Sequence, residues 1–234
     1  MVDYMDGFDF QVELKRTNRK KSVSISLHRD TVRISVPRFI SDTAIRGLII
    51  KRTPWIKKKL REYSLRKTIK PTKYISGEIL PYLGRNYQLE VINGTDNSVK
   101  LIGGCLVATI DRNKSNTKNS PKVLLENWYK IKAEKKLTEK TDYFSKLIGV
   151  YPKSLTVKNY KSRWGSCSIK GDLSYNWRII LAPNHILDYV VVHELCHLLE
   201  HNHSKKYWQH VEDYFPEWKN SRNWLRQNNY LASL

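Results

Sequence analysis

His193, Glu194 and His197 stand in the run Val190-Val191-Val192-His193-Glu194-Leu195-Cys196-His197-Leu198-Leu199, and their types and spacing suit metal-assisted hydrolysis. On a helix, at about 100° per residue, the two imidazoles fall about 40° apart on one face, with the carboxylate beside them. Two imidazoles one turn apart can hold a single zinc ion while the carboxylate reaches the water on that ion. An apolar run this dense predicts a buried helix, where three ionisable groups are costly unless a cation compensates them.

A catalytic zinc usually takes three protein ligands and leaves the fourth position to water. His201 continues the helical series, but at 1.5 Å per residue it lies about 12 Å along the axis from His193, too far to share the ion while the helix persists. His203 is better placed. Asn202 predicts a helix stop, and Ser204 an N-cap for a second amphipathic helix carrying Tyr207, Trp208, Val211 and Phe215. His203 then falls on the turn between two helices, where the chain can fold back toward the ion. The spacing of His193, His197 and His203 is that of the metzincin metalloproteases, but Glu200 replaces that clan's helix-breaking glycine and no methionine follows the motif. Glu212 and Glu217 are alternative third ligands from the next helix; both equally fit solvated surface acids, and His203 is preferred. Cys196 lies about 60° from His193 on the side away from His197 and is expected to be a small buried residue. Cys167 could approach the cleft, and a buried, inert thiol is the reading preferred for it.

Four further runs accompany the motif: Lys161-Ser162-Arg163-Trp164-Gly165-Ser166-Cys167-Ser168, Leu173-Ser174-Tyr175-Asn176-Trp177-Arg178, Asn202-His203-Ser204 and Tyr207-Trp208. Together with 188–197 they resemble the YgjP-like family of predicted zinc metallopeptidases, related to the SprT-like proteases. The resemblance is dense from 160 to 208 and weaker over the first half, and a linked set in fixed order is far more specific than HExxH alone. It implies a soluble zincin-type peptidase whose metal ligands fall on His193, His197 and His203 and whose catalytic acid falls on Glu194.

The chemistry follows from the ion. Zinc lowers the pKa of its water toward about 7 and polarises a scissile carbonyl, so Glu194 can take the water proton and deliver it to the leaving amine of a peptide or protein substrate. A donor for the developing oxyanion is also required; Tyr207, His210, Arg163 and Tyr160 are candidates, and sequence alone does not choose among them. The competing reading is a nucleic-acid-binding or assembly module with a mainly structural zinc. Glu194 favours the enzyme, because a structural site closes all four positions and has no use for an acid beside an open one.

Ala182-Pro183-Asn184 predicts the start of the motif helix. Before it, the alternation of Leu155, Val157 and Asn159, a turn at 169–172, and Leu173, Tyr175, Trp177 and Ile179 on one face predict a β-hairpin. An edge strand beside the helix would align an extended peptide by main-chain bonding, with Trp164, Gly165 and Ser166 as substrate-binding candidates. The same three also fit a tight bend with Trp164 plugging the core. Further upstream, short strands are expected over 11–15, 22–27 and 31–36, with turns at Asn18 and at 29–30. A helix is expected from Ser41, restarted by Pro54 and ending near Leu65, and more strands over 87–92, 99–102 and 106–110. Residues 112–119 read as a linker. Ser120-Pro121 caps a long helix that Gly149 ends. No internal repeat is evident. The fold class is α+β: a smaller, β-rich, basic N-terminal domain over 1–112, then a zincin-like metallopeptidase domain over 120–234 with the HExxH helix.

Composition agrees with a soluble enzyme: 234 residues, 40% hydrophobic and 27% charged. No apolar run reaches the roughly 18 residues that span a bilayer, and the N-terminus lacks the basic and apolar regions of a secretory signal, so a cytoplasmic location is expected. Cys105, Cys167 and Cys196 form no CxxC pair, which argues against a disulfide framework. The net charge of +20 is concentrated before Pro121, with basic clusters at 15–21 and 51–67. Those clusters make nucleic acid a candidate partner, although a solvated lysine-rich face fits them as well.

Overall fold

Strict alternation of apolar residues in two short runs builds the first sheet. The computed structural model describes residues 3–28, 31–67, 72–111 and 120–233. Strands β1 (Asp3–Tyr4), β2 (Val12–Thr17), β3 (Ser24–His28) and β4 (Thr31–Pro37) lie in the order β1-β2-β4-β3. The β2–β4 pair is parallel and the outer pairs are antiparallel. Val12, Leu14, Val32, Ile34 and Val36 form one core with Ile45, Ile49 and Ile56 of helix α1 (Asp42–Lys67). Ser41 caps α1 by accepting from the Ala44 amide at 3.3 Å. The expected restart at Pro54 does not occur, and α1 runs through it. Ile50, whose carbonyl Pro54 cannot serve, is 66% exposed, so water can take that acceptor.

The second sheet repeats the first. Strands β5 (Ile79–Tyr82), β6 (Arg85–Asn93), β7 (Ser98–Ile102) and β8 (Cys105–Ile110) lie in the order β5-β6-β8-β7, again with a parallel inner pair and antiparallel outer pairs. The ladders match in length: six residue pairs for β2–β4 and β6–β8, five for β3–β4 and β7–β8. The next helix in the chain is again long, α2 (Pro121–Ile148), and again capped by a serine, Ser120, which accepts from the Val123 amide at 3.4 Å. The chain therefore contains a duplicated ββββα plan that sequence reading missed. Only the apolar alternation and the serine cap are shared, and both are too common to stand out.

Next come β9 (Ser154–Lys158), β10 (Gly165–Cys167), β11 (Asp172–Asn176) and a 3₁₀ turn (Trp177–Leu181). They lead to α3 (Asn184–Cys196), α4 (Lys205–Tyr214), α5 (Trp218–Gln227) and a second 3₁₀ turn (Asn229–Ser233). The expected hairpin is corrected here. β9 pairs with β11 in parallel, and the arm that turns back antiparallel onto β11 is the three-residue β10. Gly-Ser-Cys carries no β-branched residue, so nothing in the sequence marked it as a strand. Trp177 and Ile179 lie on the 3₁₀ turn, not on a strand.

The chain divides into two compact units, Met1–Lys70 and Pro71–Leu234. This differs from the expected division after residue 112, because Leu80, Leu89, Leu106 and Ala108 of the second sheet share a core with α2 and α3. The expected turn at 29–30 and linker at 112–119 lie outside the described residues. Among the described residues no helix is long and apolar enough to cross a membrane.

Candidate metal centre

Helix α3 follows Pro183 and buries Ile186, Leu187, Val190, Val191, Val192 and Leu195, which fixes the face carrying His193 and Glu194. It ends sooner than the apolar periodicity suggests. The His197 amide bonds to the Glu194 carbonyl at 3.3 Å, three residues back, so the last turn tightens. The chain then turns at Asn202 and re-enters a helix at Ser204, whose hydroxyl accepts from the Tyr207 amide at 3.2 Å. That reversal carries His203 back over α3.

The result is a converged triad. One ligand atom from each of His193, His197 and His203 lies within 4.8 Å of the other two. Nε2 of His203 is 3.3 Å from Nε2 of His193. Two nitrogens bound tetrahedrally to one zinc at about 2.0–2.1 Å stand about 3.3–3.4 Å apart, so this pair fits a shared ion. Nδ1 of His197 bonds at 3.2 Å to the Glu200 carbonyl, which holds the proton on Nδ1 and leaves Nε2 free to ligate. Burial, reinforced by the charges of His197, His203 and Arg222, pushes His193 down to about 3. Burial also lowers His197 and His203. Neutral imidazoles with converging ligand atoms are what a divalent cation needs.

Glu194 is 5% exposed. Burial pushes its carboxyl up to about 8, with the positive charge of Arg163 acting the other way. Gly165 packs directly on it: a Cβ at that position would lie 2.5 Å from Glu194 Oε1. β10 is an edge of its sheet. The Trp164 carbonyl accepts from Asn176 and the Ser168 amide donates to Asp172, so alternate residues bond inward. Gly165 and Cys167 consequently turn their main-chain N–H and C=O to the unpaired edge. The trio Trp164, Gly165 and Ser166 thus splits into three roles. Gly165 meets Glu194, Trp164 packs against the core, and the Ser166 hydroxyl lies 3.1 Å from that of Tyr160.

Tyr207 is fully buried, stacks on His197 with ring centroids 4.5 Å apart, and donates its hydroxyl to the His193 carbonyl at 2.9 Å. That carbonyl has lost its helical partner, because the His197 amide is spent on Glu194. The Tyr207 proton is therefore committed within the fold. Arg163 is exposed, its guanidinium 5.4 Å from the Tyr160 ring. Glu212 pairs with Lys219 at 3.6 Å and Glu217 accepts from Asn220 at 2.6 Å, so the alternative ligands are engaged elsewhere. Cys196 is fully buried and pushed up to about 12 by that burial. Cys167 is half-buried and pushed up to about 11 by burial and by the charges of Glu194 and Asp172.

One neighbour of the triad was not anticipated. Arg222 of α5 lies 4.7 Å from the ring of Trp208, which stacks on Trp218 at 4.3 Å and on His203 at 5.5 Å. No local signal could reveal it, since only the packing of α5 against α3 and α4 brings it near.

The family model described as YgjP-like, metallopeptidase domain, matches residues 21–228. Two solved structures are similar over part of the chain. The crystal structure of the metallopeptidase zymogen of Pyrococcus abyssi abylysin is 20% identical and covers 39% of this chain and 93% of its own, with a TM-score of 0.37. The corresponding structure of the metallopeptidase zymogen of Methanocaldococcus jannaschii jannalysin is 20% identical and covers 40% and 96%, with a TM-score of 0.37. No curated protein sequence matches.

Proposed function

The chain belongs to the YgjP-like metallopeptidase family, and from that premise we propose that it is a zinc-dependent peptidase of zincin type. His193, His197 and His203 hold the ion, and Glu194 is the general base. The observation that carries this reading is the convergence of three imidazole ligand atoms within 4.8 Å, with a buried carboxyl next in sequence to His193. When bound, the ion supplies Lewis acidity, activating a water and polarising the scissile carbonyl.

The remaining steps fall to the chain's own groups. The buried Glu194 carboxyl, next in sequence to His193 and packed under Gly165, is placed to take a proton from the attacking water and return it to the leaving amine. The free edge at Gly165 and Cys167 supports alignment of an extended peptide by main-chain bonding, beside that carboxyl. With Tyr207 committed, Arg163, whose charge acts on Glu194, and Arg222, whose charge acts on His193 and His203, are the candidates for stabilising a developing oxyanion. Three free cysteines support a reducing, cytoplasmic setting.

Glu194→Gln tests the reading, because it keeps the shape and removes the base. The variant should retain one equivalent of zinc and lose cleavage of a proteome-derived peptide digest. Equal cleavage by both proteins would refute the assignment of Glu194.

A further inference from the structure

Asn176 ends β11 with no exposed surface, and every polar atom of its side chain is used. Its Nδ2 donates to the carbonyls of Tyr160 at 3.0 Å and Arg163 at 3.1 Å, and its Oδ1 accepts from the Arg178 amide at 3.2 Å. Its own main-chain N–H donates to the Trp164 carbonyl at 2.8 Å. Three of these four bonds tie both ends of the loop 160–164 to the end of a central strand, and the fourth holds the turn that follows it.

That loop opens directly into β10, whose first residue rests on Glu194. A Cβ at Gly165 would stand 2.5 Å from Oε1 and 2.8 Å from both Cδ and Cγ of Glu194. Gly165 is not among the residues with positive φ, so no backbone conformation demands glycine there; only the close approach does. The contact is set from two sides. Glu194 comes up from α3, and β10 is held above it by its ladder with β11 and by the Asn176 bonds to the loop that leads into it.

We propose that Asn176 is a positioning residue which, acting through the 160–164 loop and Gly165, holds the Glu194 carboxylate and the free edge of β10 in one fixed relation. The proposal rests on Glu194 being the base. Asn meets the demands of this position, since the Tyr160 and Arg163 carbonyls need two donors and the Arg178 amide needs an acceptor. Aspartate supplies no donor and brings a charge; alanine supplies neither. Gly165 is the complementary half, because the smallest added group there must displace the carboxylate, the strand, or both.

Three variants, Asn176→Ala, Gly165→Ala and the double variant, test this with the full chain and zinc. The substrate is the peptide cleaved fastest in a proteome-derived digest. Zinc content should stay at one equivalent in all three, since no ligand is touched. Each single variant should lower kcat by about 10- to 100-fold, the cost of misplacing a catalytic group by about 1 Å. The double variant should be no slower than the slower single one, because both act through one contact. Amide hydrogen exchange over 160–164 should rise in Asn176→Ala and not in Gly165→Ala.

Wild-type kcat in a folded, zinc-loaded single variant would overturn the proposal, and so would losses that multiply in the double variant. If Asn176→Ala does not fold, Gly165→Ala, which removes no hydrogen bond, decides alone: unchanged kcat with zinc bound refutes the positioning. Failure of the underlying reading looks different. A Glu194→Gln protein that cleaves like wild type, or a wild-type chain that cleaves nothing, removes the base assignment and this proposal together.

Discussion

Replacing Tyr207 by phenylalanine separates a structural role from a catalytic one at the residue closest to all three histidines. The ring is fully buried and lies 4.5 Å from the His197 ring, 4.8 Å from that of His203 and 5.4 Å from that of His193. Phenylalanine preserves that packing and deletes one hydroxyl, whose 2.9 Å bond satisfies the His193 carbonyl. The tightened end of α3 leaves that carbonyl without its usual amide, so nothing nearby replaces the bond. A buried acceptor left unpaired costs about 1–3 kcal/mol. At about 2–4 °C per kcal/mol for a unit of this size, the melting temperature should fall by roughly 2–12 °C. Turnover should stay within a few-fold of wild type and zinc should remain bound. A hydroxyl that stabilised the oxyanion would give the opposite pattern, a loss of about 100- to 1000-fold in kcat with little change in melting. Thermal unfolding with and without zinc, together with kcat on one peptide, distinguishes the two. An unchanged melting temperature with collapsed turnover would refute the argument from the His193 carbonyl.

The metal-free protein carries a pH signature. The Glu194 carboxyl, raised by burial from 4.5 to about 8, binds a proton more tightly folded than unfolded, so its contribution is full below about 4.5 and is lost as pH rises through 8. Chelated Glu194→Gln should therefore be more stable than chelated wild type at pH 9, by a few kcal/mol on the order of the shift, and no more stable at pH 4.5; urea melts read this, and parallel curves would contradict it. His203→Ala should weaken zinc binding by at least about 100-fold in a competition titration, and undiminished affinity would remove His203 from the ligand set. Lys140 and Asp188 form a largely buried ion pair joining α2 to α3. Lys140→Met leaves a carboxylate behind and should cost about 3–5 kcal/mol in denaturant, while a near-zero change would show the pair to be solvated. Nucleic acid, proposed as a partner for the basic stretches at 15–21 and 51–67, should bind with strong salt dependence, and no complex at low salt would exclude it.

Much of the candidate metal centre was legible because its information is local. His193, Glu194 and His197 need only a helix, and Asn202 with Ser204 announces the reversal that brings His203 back. The long helix between Ser120 and Gly149 was equally plain, its serine cap and left-handed glycine end being written in adjacent residues. What stayed hidden depends on pairing across distance. The parallel alignment of β9 with β11 leaves no trace in either strand, and Gly-Ser-Cys in β10 looks like a loop. Gly165 reads as a bend until the carboxyl beneath it is seen. Tyr207 read as a possible donor because its true acceptor exists only where α3 tightens. Arg222 sits 25 residues beyond His197, and only packing of α5 brings it near.

The duplicated sheet plan has a consequence for how the chain folds. Two sets of strands with the same order and equal ladder lengths offer each other alternative partners, so β4 can dock where β8 belongs before either sheet is complete. Such cross-pairing is a kinetic trap of the kind repeat proteins fall into. Its remedy is divergence of the inward-facing side chains: Ile34 fills one interior where Ala108 fills the other, and an exchanged strand leaves a void in one sheet and a clash in its twin.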